Sequence, residues 1–155
     1  MMYILATHPE LADRLRETPD AVEGFIDESL RYFTPIQGRY RRATQDVCLH
    51  GQDIPAQTRL HFSLGSANYD DRVFEQPERF DPDRTNARDH LAFGHGIHFC
   101  VGSEVARTEC RIALKLLLGA MTGIRLANPA EPPAWGRHFH IRGLERLDVV
   151  FDRPA

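Results

Sequence analysis

The chain has 155 residues, 42% hydrophobic and 26% charged, with a formal net charge of −3. That balance lies near the globular average, which excludes an intrinsically disordered chain and fits one ordinary domain. No basic excess is present, so nucleic-acid binding is not expected as a main activity, because neutralising phosphates requires one.

Three cysteines, Cys48, Cys100 and Cys110, are few and odd in number, which argues against a disulfide framework and for a reduced, cytoplasmic setting. Met1 to Thr7 is a short apolar run without the basic flank of a signal peptide. No apolar stretch reaches the length needed to span a bilayer, so no membrane segment is expected.

Taken in chain order, Met1 to Thr7 reads as the end of a helix that His8-Pro9 breaks. Glu10 to Arg16 follows as a short helix with Leu11 and Leu15 on one side. Pro19-Asp20 opens a longer helix, with Asp20 as its expected N-cap. Val22, Phe25, Ile26, Leu30 and Phe33 share one face of it, and it ends before Pro35. Residues 36 to 63 read as short strands broken at Gly51 and Pro55. From Gly65 to Gly96 the pattern is irregular, and a connection of that length is usually functional. Residues 102 to 120 form the clearest helix, in which Val105, Ile112, Leu116 and Ala120 share a face widened by Ala106, Ala113 and Leu117. Strand candidates at Ile124 to Ala127, Phe139 to Ile141 and Leu147 to Phe151 close the chain.

The segment richest in chemistry is Phe93-Gly94-His95-Gly96-Ile97-His98-Phe99-Cys100-Val101-Gly102. It puts one cysteine at the mouth of a long helix, after a loop carrying two glycines. A helix N-terminus favours negative charge and so a thiolate. Glycines let backbone N–H groups approach the sulfur, and such bonds tune a metal-bound thiolate. Three other readings stay open on these residues alone. Cys100 is an inert small hydrophobe, or a zinc ligand together with His90, His95 and His98, whose spacing matches no common zinc pattern. Or it is a nucleophile with His95 or His98 as base.

Phe93 to Gly102 matches the heme-ligand signature of the cytochrome P450 family, and three further matches lie in the expected order. The chain resembles the C-terminal, heme-binding part of a soluble bacterial member, from His8-Pro9 to Arg142-Gly143-Leu144. The resemblance implies heme b as cofactor, Cys100 as the thiolate ligand to iron, and Phe93, Gly94 and Gly102 as the frame of the ligand loop. Glu28-Ser29-Leu30-Arg31 matches the Glu-x-x-Arg motif. Both charged residues lie away from the apolar face of their helix, which fits solvent exposure equally well. The family reading instead implies a buried Glu28–Arg31–Arg79 network, with Arg79 supplied by Pro77-Glu78-Arg79-Phe80. In Arg41-Arg42-Ala43-Thr44-Gln45-Asp46 the first arginine matches the family residue that pairs with a heme propionate, and His98 is similarly placed. Ala67-Asn68-Tyr69-Asp70 and Val105-Ala106-Arg107 are also typical.

The resemblance further implies a fold that is mainly α with small β-sheets (α+β), and a single partial domain over residues 1–155. The N-terminal half and most of the distal helix would lie outside it, together with the catalytic acid–threonine pair, so no catalytic residue is assigned. The implied activity is monooxygenation of a small organic substrate, with electrons from a ferredoxin or flavoprotein. Pocket candidates are Pro35, Ile36, Gln37, Phe139 and His140, with ordinary strand packing as the alternative. Arg107, Arg111 and Lys115 recur along one helix as a basic stripe, either a docking surface for an acidic donor or a solvated face. A heme with one open face and an exposed apolar surface would leave the isolated chain aggregation-prone. The rival functions are a non-catalytic truncated remnant and a small zinc module built from His90, His95, His98 and Cys100.

Overall fold

The computed structural model describes residues 1–131 and 133–154. Helix α1 spans Met2–Thr7 and α2 spans Pro9–Glu17. Pro9 occupies the start of α2, where an N–H would have no helical partner anyway, while His8 leaves helical geometry at φ −134° and turns the chain. Helix α3, Ala21–Phe33, follows. Asp20 precedes it but makes no side-chain capping bond, contrary to expectation. Its φ of −67° and ψ of −20° are already helical, whereas a capping residue needs extended backbone to reach the free N–H groups. At the other end Thr34 adopts a left-handed φ of 31°. Its hydroxyl donates to the Arg31 carbonyl at 2.7 Å, which closes the helix ahead of Pro35.

Among the described residues the strands form three two-stranded antiparallel sheets. Strand β1, Gly38–Arg42, pairs with β4, Arg59–Ser63, so that Tyr40 faces His61 and Arg41 faces Leu60. Strands β2, Val47–Leu49, and β3, Gln52–Ile54, form an exposed hairpin turning at His50-Gly51. Helix α4, Leu64–Ala67, is a single turn capped by the Ser63 hydroxyl. The irregular connection expected from Gly65 begins only after α4, at Asn68, and carries 3-10 turns at Ala87–Asp89 and Gly96–His98. Helix α5, Ser103–Ala120, leads into β5, Thr122–Leu126, which pairs with β6, Val149–Asp152. The strand expected at Phe139–Ile141 is reduced to one bridge, Ile36 to Ile141.

The core gathers Ile4 and Leu5 of α1, Ala12 and Leu15 of α2, Phe25 and Ile26 of α3, Leu114 and Leu118 of α5, and Ile124 of β5. Helix α5 meets it with a different face from the one its apolar pattern suggested. Leu114 and Leu118 are buried, whereas Val105, Ile112 and Leu116 are 61%, 54% and 66% exposed. The helix is apolar on two opposite sides, and a periodic pattern alone does not say which side packs.

Candidate cofactor site

Local backbone chemistry presents Cys100. Gly94 and Gly96 take φ values of 75° and 68°, in the left-handed region where a side chain is disfavoured. This lets the loop double back. The Gly94 N–H donates to the Leu91 carbonyl, and the Cys100 N–H donates to the Phe93 carbonyl, both at 2.9 Å. The Ser103 N–H then donates to the Cys100 carbonyl at 3.2 Å and starts α5. The thiol is a free, exposed cysteine just ahead of the first turn of an 18-residue helix.

Behind the loop lies a buried charge cluster. Glu28 and Arg31 are both 0% exposed, so the solvent-exposed reading of this pair is wrong. Arg31 donates to both Glu28 carboxylate oxygens, Nε at 2.7 Å and Nη2 at 2.8 Å. Its remaining N–H groups reach the carbonyls of Asn68 at 2.8 Å and Pro77 at 2.9 Å. The Asp81 N–H also donates to Glu28, at 2.9 Å. The expected third member, Arg79, is corrected: its side chain is exposed, and it enters only through its carbonyl, 3.3 Å from Arg31 Nη2. The second guanidinium belongs to Arg84, whose Nε stands 3.2 Å from Glu28 and whose side chain is 7% exposed. A turn in which the Arg84 N–H bonds to the Asp81 carbonyl folds that side chain back over the cluster. Asn68, wholly buried, links it to the ligand loop: its Nδ2 donates to Thr34 Oγ1 and its Oδ1 accepts the Leu91 N–H, each at 2.7 Å.

Two sequence readings change with the geometry. The basic stripe of α5 is divided: Arg107 is buried and bonded to Asp27, Arg111 lies 2.6 Å from Glu23 in a partly exposed pair, and Lys115 is exposed. The zinc reading fails because, among the described residues, no three of His, Cys, Asp and Glu converge on a metal. His90 is buried at 5% exposure, and its Nδ1 accepts the Ala92 N–H at 3.1 Å. Burial holds its pKa below the ordinary imidazole value.

The remaining candidates fall into two groups. Arg41 is exposed on β1, with Arg42 on the opposite strand face, opposite Arg59. His98 is exposed in the turn before Phe99. The two pocket segments, far apart in sequence, come together: the Gln37 N–H donates to the His140 carbonyl at 2.9 Å and the Arg142 N–H to the Pro35 carbonyl at 2.8 Å. Phe139 is 74% exposed beside them. Tyr40 and His61 stand near His140, with ring centres 5.4 Å and 6.1 Å away, and neither was singled out from sequence.

The surroundings of the sulfur fit a flat, largely apolar macrocycle. Ile97 and Val101, on either side of Phe99 and Cys100, are 98% and 103% exposed, and Phe99 is 51% exposed. A Cβ on Gly102 would stand 3.9 Å from the sulfur. One exposed thiol amid uncovered aliphatic side chains is a surface that would fit a flat, largely apolar group bound through sulfur.

Comparison with known proteins agrees. The cytochrome P450 family model matches residues 1–121, and the chain belongs to the cytochrome P450 family. It is 38% identical over 149 residues to cytochrome P450 144 of Mycobacterium tuberculosis, covering 96% of this chain and 34% of the relative. It is 37% identical over 150 residues to 6-deoxyerythronolide B hydroxylase of Saccharopolyspora erythraea, covering 97% of this chain and 37% of the relative. The substrate-free structure of cytochrome P450 CYP150A6 from Mycobacterium marinum superposes with a TM-score of 0.94 at 35% identity, covering 99% of this chain and 39% of that one. The chain thus spans about a third of the length of the curated relatives it matches. Members of the family use heme b. The helices with small antiparallel sheets match part of the family fold. Among the described residues no helix is long and apolar enough to cross a membrane.

Proposed function

We propose that this chain is the heme-holding portion of a monooxygenase, with Cys100 as the thiolate ligand to iron. The observation that carries the reading is an exposed cysteine at the mouth of α5, on a loop braced by a buried charge cluster and flanked by uncovered Ile97 and Val101. Bound heme supplies the activation of dioxygen through which one oxygen atom enters a C–H bond of a small organic substrate.

The protein's part is to hold and orient. The Phe93 carbonyl occupies the Cys100 N–H, which fixes the backbone from which the sulfur projects. Arg41 and His98 supply cationic and donor partners for the two propionates, which need them on leaving water. Pro35, Ile36 and Gln37, bridged to the segment of Phe139 and His140, form one wall of the substrate pocket. The Saccharopolyspora relative, a 6-deoxyerythronolide B hydroxylase, supports hydroxylation as the reaction type. Electrons come from a ferredoxin or flavoprotein donor.

The test is hemin titration of the chain, followed by reduction under carbon monoxide. The wild-type chain is expected to give the red-shifted Soret band of a thiolate ligand. Cys100→Ala is expected to lose that band entirely. An unchanged ferrous carbonyl spectrum in Cys100→Ala would overturn the reading.

A further inference from the structure

A second buried charge cluster lies against the ligand loop, apart from Glu28, Arg31 and Arg84. Asp27 of α3 and Arg107 of α5 are 7% and 5% exposed, and the Arg107 guanidinium donates to the Asp27 carboxylate. Removing two such charges from water costs several kcal/mol per ion before their attraction is counted. Joining α3 to α5 does not require that cost, since Glu23 and Arg111 already link the same two helices at the surface. What distinguishes the buried pair is the third element that it touches.

The Arg107 guanidinium carbon lies 5.1 Å from the centre of the Phe93 ring, in cation–π range. His90 also stands against that ring, with centroids 5.6 Å apart. Because His90 Nδ1 accepts the Ala92 N–H, the proton of the neutral ring sits on Nε2, 3.8 Å from the Asp27 carboxylate. That Nε2 is buried and has no hydrogen-bond partner among the described residues. Arg107 of α5 and His90 of the loop thus contact the Phe93 side chain, and Asp27 of α3 bonds to Arg107 and lies 3.8 Å from His90, while the backbone carbonyl of Phe93 holds the Cys100 N–H.

We propose that Asp27, Arg107 and His90 are positioning residues for Cys100. They hold the Phe93 ring, and through the Phe93 carbonyl they set the direction in which the thiol is presented. The inference rests on the reading of Cys100 as the iron ligand. It gives the two clusters separate tasks. The Glu28 cluster secures the start of the loop, through Asn68 and Leu91, and the Asp27 cluster secures the residue that bonds to the cysteine.

The test is the double variant Asp27→Asn/Arg107→Met in the dilute chain. Removing both charges leaves neither one buried alone, so the fold is expected to persist. Amide hydrogen exchange at Cys100, read without heme, should accelerate about tenfold, while the core amides of Ile26 and Leu114 keep their rates. Loaded with hemin and reduced under carbon monoxide, the variant should lose part of the thiolate-type band that Cys100→Ala loses entirely. Phe93→Leu, which keeps the charge pair but removes the ring it grips, should accelerate Cys100 exchange in the same way if the double variant does not fold. Unchanged exchange at Cys100 in the folded double variant, or in Phe93→Leu, would overturn the proposal, as would an equal acceleration of every amide. Failure of the ligand reading has a different mark: a wild-type carbonyl spectrum in Cys100→Ala, whatever the exchange rates.

Discussion

Arg31 donates to one carboxylate and to several backbone carbonyls, and it is stacked among Tyr32, Tyr69 and Phe74 with no exposed surface. A buried charge so thoroughly bonded does not tolerate loss of its partner, and breaking such a pair from one side typically costs about 3–5 kcal/mol. The correction from Arg79 to Arg84 makes this testable. Arg84→Ala removes a buried guanidinium from Glu28 and from the carbonyls of Glu75, Gln76 and Arg79, and should destabilise by about 2–3 kcal/mol. Arg79→Ala leaves its carbonyl in place and should stay within about 0.5 kcal/mol. Denaturant unfolding of the two variants checks the order, and the reverse order would return the role to Arg79. Both arginines sit in one turn-rich run; the turn at Asp81-Pro82 is local, but which arginine folds inward depends on the long-range bond from the Asp81 N–H to Glu28, which no local pattern encodes. Glu28 and Arg31 could be located from sequence, but their burial followed only from the family resemblance, because spacing of three along a helix describes a surface pair equally well.

Helix boundaries were largely legible because proline marks them: Pro9 opens α2, and Pro35 follows the end of α3. Faces were less legible. Helix α5 carries apolar residues on both sides, and its arginines, read as a solvated or docking stripe, turn toward α3. The packing makes a direct prediction for two leucines on the same helix. Leu114→Ala, at 1% exposure, should cost about 2–5 kcal/mol by leaving a cavity. Leu116→Ala, at 66% exposure, should change stability by no more than about 0.5 kcal/mol. Thermal unfolding distinguishes them, and a large loss for Leu116→Ala would mean that the other face of α5 is the packed one. The strand candidate at Phe139 to Ile141 shrank to the bridge at Ile141 because its partner segment, Pro35 to Gln37, is short and leads straight into β1. Long-range pairing of this kind leaves little trace in either segment.

At the scale of the molecule, large apolar side chains remain uncovered from the ligand loop onto one face of α5: Ile97, Phe99, Val101, Val105, Ile112 and Leu116. Soluble monomers rarely show apolar patches beyond a few hundred Å². The chain by itself should therefore self-associate as concentration rises. Sedimentation velocity is expected to show a concentration-dependent shift to larger species, which Ile112→Lys/Leu116→Lys should reduce. A wild-type chain that stays monomeric across the same range would contradict this. Much of this molecular organisation was readable, because the loop signature, the Glu-x-x-Arg pair and the order of helices all carry local marks. The inward role of Asp27 was not, since an acidic residue beside Glu28 has no sequence signature that tells a buried partner from a wet one.

The wholly buried Asn68 amide also bears on design. A graft of the thiol loop onto a foreign helix would import the cysteine and its glycines, yet leave behind the one side chain that bolts Leu91 to Thr34. Any transplant meant to keep the sulfur pointing the same way has to bring Asn68 with it.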